Sequence, residues 1–184
     1  MSEILKCFKR KENKKVYSED EKEAIFNIKR FAKTLVLAVL AVLVCFVFVF
    51  GVYVQKGTDM YPRIRDGDLI FFFRLDKSHV INDVLTYEVD GKRYTGRYVA
   101  MEGDVVDINE KGQLLVNGNV QIEEVYYPTF KMGTDIVYPY KVPEDHLFML
   151  GDFRTNATDS RSLGAIQQDD IDGKVITFIR RRGI

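Results

Sequence analysis

Gly57-Thr58-Asp59-Met60-Tyr61-Pro62-Arg63-Ile64-Arg65-Asp66-Gly67-Asp68-Leu69-Ile70-Phe71-Phe72-Phe73 is where the patterning of this chain changes. Before it, Leu35 to Phe50 is an uninterrupted apolar run, which Gly51-Val52-Tyr53-Val54 extends to twenty residues. After it come short runs of strand formers separated by turn residues, beginning with Asp68 to Leu75. Pro62 fixes a turn, and Gly67-Asp68 opens a strand.

The apolar run is long enough to span a bilayer core of roughly 30 Å at about 1.5 Å of rise per residue. It exceeds the apolar stretch of a cleaved leader, and no Ala-x-Ala site follows it. Lys29, Arg30 and Lys33 stand at its N-terminal edge, so the positive-inside rule predicts residues 1–34 in the cytoplasm and the remainder outside. Residues 1–34 carry ten Lys/Arg against six Asp/Glu, a net +4. Residues 57–184 carry sixteen against twenty-one, a net −5. No bulk basic excess marks a nucleic-acid binder. The two cysteines, Cys7 and Cys45, both fall before the outer part, which must fold on its apolar core without disulfides.

The leader begins with a basic run, Lys6 to Lys15, suited to disorder or to anionic lipid. Ser18-Glu19-Asp20-Glu21 reads as a capping box, and Ile25, Ile28 and Ala32 follow at helical spacing, predicting a helix from about Glu19 into the span. Beyond Gln55 the reading is mainly β with antiparallel pairing. Val84–Val89 and Lys92–Val99 flank Asp90-Gly91, a two-residue hairpin signal. Leu114–Val116 and Val120–Ile122 flank Asn117-Gly118 in the same way. His146–Leu150 and Lys174–Ile179 supply further strands. The expected organisation is a leader over 1–34, a transmembrane helix over 35–54, a β core over 55–104 and 145–184, and an inserted β subdomain over 105–144. That insertion holds the aromatic, proline-punctuated stretches Tyr126–Phe130 and Tyr138–Tyr140.

Four stretches together resemble the type I signal peptidase family. Asp59-Met60-Tyr61-Pro62 resembles its nucleophile loop, in which the residue before Met-x-Pro is the catalytic serine. Arg65-Asp66-Gly67-Asp68 resembles the Gly-Asp strand box. Gly96-Arg97-Tyr98-Val99-Ala100-Met101-Glu102-Gly103-Asp104 resembles the box that ordinarily begins with the catalytic lysine. Gly151-Asp152-Phe153-Arg154-Thr155-Asn156-Ala157-Thr158-Asp159-Ser160-Arg161 resembles the last box. The resemblance implies the family's β-fold around a groove where extended peptides pair through main-chain hydrogen bonds. It also implies a Ser–Lys dyad, but Asp59 and Gly96 occupy those positions, and Phe153 and Ala157 replace two hydrogen-bonding residues. A carboxylate and a missing side chain cannot jointly generate an alkoxide. Arg97 lies on the opposite strand face, Lys92 is roughly 13 Å along the strand, and Thr58 would need a shifted loop.

No catalytic residue is therefore expected. Met60, Pro62, Gly67, Asp68, Arg97, Gly103, Asp104, Gly151, Asp152, Asp159, Ser160 and Arg161 are expected as groove or architectural residues, with Asp159 and Arg161 as a charge-assisted pair. Asp59 is expected to be an ordinary ionised carboxylate, bonded to backbone N–H groups or solvated. The alternative is an active peptidase in which Asp59 shares a proton with Asp68, Asp152 or Asp159. His79 and His146 read as isolated, and no cofactor or metal is expected. Arg180-Arg181-Arg182 reads as a solvated strand terminus. Met60, Tyr61 and Phe71–Phe73 are open to two readings, core or a surface against membrane or partner. Dyad-lacking relatives accompany pilus and sortase systems of Gram-positive bacteria. The resemblance thus implies a membrane-anchored, chaperone-like factor facing outward, whose partners are the cytoplasmic membrane and an extended peptide or a pilin- or sortase-type surface protein.

Overall fold

Ser18 and Glu21 start the first helix as a reciprocal cap in the computed structural model, which describes residues 18–122, 125–133 and 136–180. Ser18 N–H donates to Glu21 Oε2 at 2.9 Å, and Glu21 N–H donates to Ser18 Oγ at 3.3 Å. Helix α1 runs Glu19–Val49 and is long and apolar enough to cross a membrane. The basic run Lys6–Lys15, Cys7, Arg181 and Arg182 lie outside the described residues. The chain divides into two units, Met1–Cys45 and Phe46–Ile184.

The helix does not continue to Val54 as expected. Phe50–Val54 forms strand β1, antiparallel to β2 (Leu69–Phe73), with Phe50 opposite Phe73 and Val54 opposite Leu69. Aromatic and β-branched residues suit a strand, and Gly51 permits close packing. A Cβ on Gly51 would stand 2.0 Å from Cζ of the Phe72 ring. Only a glycine lets that ring lie flat against the backbone.

The remaining elements are β3 (Val84–Val89), β4 (Lys92–Ala100), β5 (Val105–Ile108), β6 (Leu114–Val116), β7 (Asn119–Val120), β8 (Tyr140–Lys141), β9 (His146–Leu150), α2 (Ser160–Leu163), β10 (Ile166–Gln167) and β11 (Ile171–Ile179). A seven-stranded sheet has the order β1-β2-β11-β3-β4-β9-β10, and a four-stranded sheet the order β7-β6-β5-β8. Neighbouring strands are antiparallel throughout both sheets. The smaller sheet falls within the expected insertion, and the two hairpin signals form their turns with positive φ at Asp90, Gly91, Asn117 and Gly118.

Three apolar clusters hold the unit together. Leu85, Tyr87, Tyr98, Met149 and Ile171 pack under the large sheet. Val106, Leu114, Val142 and Phe148 join the two sheets. Met60, Ile64 and Ile70 anchor the loop before β2. This divides the residues left open by the sequence. Met60 and Phe72 are core, whereas Phe71 and Phe73 point to the opposite face of β2 and are half-buried. Tyr61 is half-buried beside Phe153.

Candidate functional site

The loop carrying Asp59 is held from both ends. Gly57 N–H donates to Asp66 Oδ1 at 2.8 Å, and Ile64 N–H donates to Met60 O at 3.0 Å. Met60, 1% exposed, pins the loop from beneath. Across the site, Phe153 N–H donates to Asp59 O at 2.9 Å and Thr158 N–H to Asp59 Oδ1 at 2.9 Å. The Asp59 backbone also passes so close to Gly151 that a Cβ there would lie 2.5 Å from Asp59 O. Asp59 therefore staples its loop to the 151–161 segment. Burial pushes its carboxyl above the usual range, opposed by the Thr158 N–H and reinforced by the Asp159 carboxylate. The bond from a backbone N–H is as expected, whereas the burial that raises the carboxyl is not.

Gly96 sits on β4 opposite Leu85 of β3, and Tyr94 sits opposite Tyr87. Tyr87 is thus the diagonal neighbour of Gly96 on one face of the hairpin. A Cβ on Gly96 would stand 3.2 Å from Tyr87 Cε1 and 3.4 Å from both Tyr87 Oη and Met149 Cβ. Tyr87 is fully buried, and its hydroxyl has no hydrogen-bond partner among the described residues. Its pKa is raised well above 10 by burial, with the Asp159 and Asp59 charges adding to the effect. Tyr87 did not figure in the sequence reading. The signal was present: a two-residue turn at Asp90-Gly91 sets the register and puts positions 87 and 96 on the same face.

The other carboxylates near the site are committed. Asp152 receives a bidentate pair from Arg97, Nε to Oδ1 at 2.8 Å and Nη2 to Oδ2 at 2.7 Å. Asp159 receives Arg161 Nε on Oδ1 at 2.9 Å, Arg161 Nη2 on Oδ2 at 2.7 Å, and Gly151 N–H at 3.0 Å. Asp159 and Arg161 are both fully buried. Arg161 also donates to the carbonyls of Arg154 and Phe130, which makes the pair a fastening rather than a surface contact. Asp68 accepts from Arg65 N–H at 2.9 Å. Ser160 Oγ accepts from Met149 N–H at 2.9 Å, tying α2 to β9. Asp104 accepts from Met101 N–H and from Asn117 Nδ2 at the turn through Gly103. Phe153 packs between Tyr61 and Tyr127 in tilted ring contacts, with centroids 5.7 and 4.8 Å away. The sequence reading offered no role for this aromatic bridge to the insertion.

Beside the site lies a cavity of about 480 Å³ lined by Tyr53, Val54, Lys56, Lys92, Arg93 and Tyr94, among others. Tyr53 Oη and Thr95 Oγ1 lie 2.7 and 2.9 Å from Gln55 Oε1 and are in contact with each other, so their two hydroxyl hydrogens serve this three-atom cluster, one hydroxyl accepting from the other or both donating to Gln55. This buried polar cluster joins β1 to β4 next to Gly96. Among the described residues, strand β1 pairs with β2 alone and its other edge carries no strand. Gln55 N–H bonds Asp68 O and Arg74 N–H bonds Val49 O, so the odd-numbered residues face β2 and Val52 and Val54 turn their N–H and C=O outward. His79 and His146, read as isolated, both line a second cavity, of about 180 Å³, with Lys77, Tyr98 and Glu102. Among the described residues, no three potential metal ligands come together there or elsewhere.

A model of the family described as signal peptidase, peptidase S26, matches residues 28–179. The chain belongs to this family. It is 31% identical over 160 residues to signal peptidase I S of Bacillus subtilis strain 168, covering 80% of this chain and 86% of that one. It is 31% identical over 172 residues to signal peptidase I P of Bacillus subtilis subsp. natto, covering 83% and 90%. A crystal structure of a signal peptidase I from Enterococcus faecalis V583 is 23% identical, with a TM-score of 0.45, and covers 54% of this chain and 97% of that chain. Family membership and the long apolar helix fit a membrane-anchored protein.

Proposed function

We propose that this member of the signal peptidase family does not hydrolyse peptide bonds and instead binds an extended segment of an exported surface protein, as a chaperone-like factor in pilus-type assembly. The helix holds it in the cytoplasmic membrane with residues 1–34 inside, in keeping with Lys29, Arg30 and Lys33 at the inner edge. The domain after the helix faces outward, where a pilin or sortase-type protein is the partner. The observation that carries the reading is the pair of reactive positions. Asp59 spends a carboxylate oxygen on Thr158 N–H, and Gly96 has no side chain to serve as a base. Hydrolysis needs both a nucleophile and its base, whereas β-strand addition needs only a free edge. The outward N–H and C=O groups of Val52 and Val54, beside the tyrosine-lined cavity, supply that edge.

A second reading, an active peptidase using Asp59, draws on the raised pKa of that carboxyl. Its weakness is that Asp152 and Asp159 are each engaged by an arginine and so are poor partners for a shared proton. Incubating the full chain in detergent with exported precursor proteins separates the two. The expected result is no cleavage, together with capture of an extended peptide. Cleavage that disappears in Asp59→Ala would overturn the proposal. Unchanged surface assembly after substitutions along the β1 edge would reduce the protein to a passive anchor.

A further inference from the structure

We propose that Tyr87 occupies the volume a base at position 96 would require, so that Gly96 and Tyr87 form a matched pair and the site is closed sterically as well as chemically. A Cβ at Gly96 already meets the Tyr87 ring at 3.2 Å and its hydroxyl at 3.4 Å, with Met149 Cβ at 3.4 Å on another side. An alanine there requires the ring to yield by a few tenths of an ångström. A lysine adds four more heavy atoms along a path bounded by a fully buried ring and by Met149. Strand pairing limits where the ring can go, because Tyr87 is opposite both Tyr94 on β4 and Ile171 on β11, and it stacks on Tyr94 at 5.8 Å. Its hydroxyl has no hydrogen-bond partner among the described residues. An unpartnered buried hydroxyl is unfavourable, so what holds Tyr87 in place is the volume of its ring. Position 96 cannot receive a lysine while Tyr87 remains. Restoring Asp59 to serine and Gly96 to lysine therefore leaves the site blocked.

The test is a thermal-unfolding cycle on the full chain in detergent, with Gly96→Lys and Tyr87→Val made singly and together, and Gly96→Ala in the same cycle in case the lysine variant does not fold. The expected result is non-additivity. The substitution at 96 lowers Tm sharply with Tyr87 present and much less in the Tyr87→Val background, a departure from additivity of about 4 °C or more. Tyr87→Phe, which keeps the ring and removes the hydroxyl, gives no relief. Additive losses, or relief by phenylalanine equal to that by valine, would overturn the proposal. So would precursor cleavage by Asp59→Ser/Gly96→Lys with Tyr87 intact. The test is independent of the functional reading: cleavage by the unmodified chain would sink that reading and leave the steric pair untouched, while an additive cycle would do the reverse.

Discussion

Asp59 takes two opposing influences into one carboxyl: burial favours the neutral form, and the Thr158 N–H favours the charged one. Burial is the larger, so the pKa in the folded chain lies above its value of 3.8 in the unfolded chain. Above pH 3.8 the folded chain then binds more protons than the unfolded chain at this site, and stability falls as pH rises through the folded pKa. Asp59→Asn keeps an oxygen for Thr158 N–H and removes the charge. It is expected to raise Tm at pH 7, an advantage that shrinks towards pH 4 in a pH series of melts. Asp59→Ala leaves that N–H without its acceptor and is expected to cost about 1–3 kcal/mol, read by denaturant unfolding. Arg161 is the opposite case. Its guanidinium is fully buried and spans Asp159 and two carbonyls. Arg161→Ala strands a buried carboxylate and is expected to cost about 3–5 kcal/mol, a large share of a domain's stability.

Strand β1 shows how an element can be both structural and available. Tyr53 N–H faces β2 in the ladder, while Val54 N–H faces the open edge beside the cavity. Proline at each position therefore has different consequences. Tyr53→Pro removes a ladder donor and is expected to lower Tm by several degrees. Val54→Pro leaves the ladder intact and is expected to keep Tm near the wild-type value while abolishing capture of an extended peptide, measured by fluorescence anisotropy. This strand was also the element misread in the sequence. Phe-Gly-Val-Tyr-Val continues an apolar run that suits a helix equally well, and only the partner β2 decides the matter. Hairpins were legible because Asp90-Gly91 and Asn117-Gly118 specify both turn and register locally. The short strands β5, β8 and β10 and the single turn α2 went unread, since two to four residues carry no periodicity. At the site, the lost dyad was visible in Asp59 and Gly96, but Tyr87 was not. Its role depends on a diagonal across the hairpin rather than on any motif.

The charges of the whole molecule bear on which peptide the cleft would take. Four charged residues line the cavity between β1 and the β3–β4 hairpin: Lys56, Lys92, Arg93 and Glu88. Arg93 is already neutralised, with Nε 2.5 Å from Asp172 Oδ2 and Nη2 3.3 Å from Glu88 Oε2. Lys56 and Lys92 have no carboxylate within ion-pair distance among the described residues, so the cleft retains local positive charge on a domain whose sequence is net negative. An extended segment with one or two acidic side chains complements the cleft and is repelled less there than elsewhere on the domain. Because both lysines are exposed, the attraction is modest and screened, with a Debye length of about 10 Å at 0.1 M salt. Binding of an acidic extended peptide is therefore expected to weaken several-fold between about 50 and 500 mM salt (about 14 and 4 Å of screening length), while an isosteric amide peptide binds more weakly and responds less. Lys56→Glu/Lys92→Glu should invert that preference with little change in Tm, since neither lysine holds the fold. Titrations of both peptides against both proteins at the two salt concentrations give the answer, and an unchanged preference in the charge-reversed protein would remove the lysines from recognition.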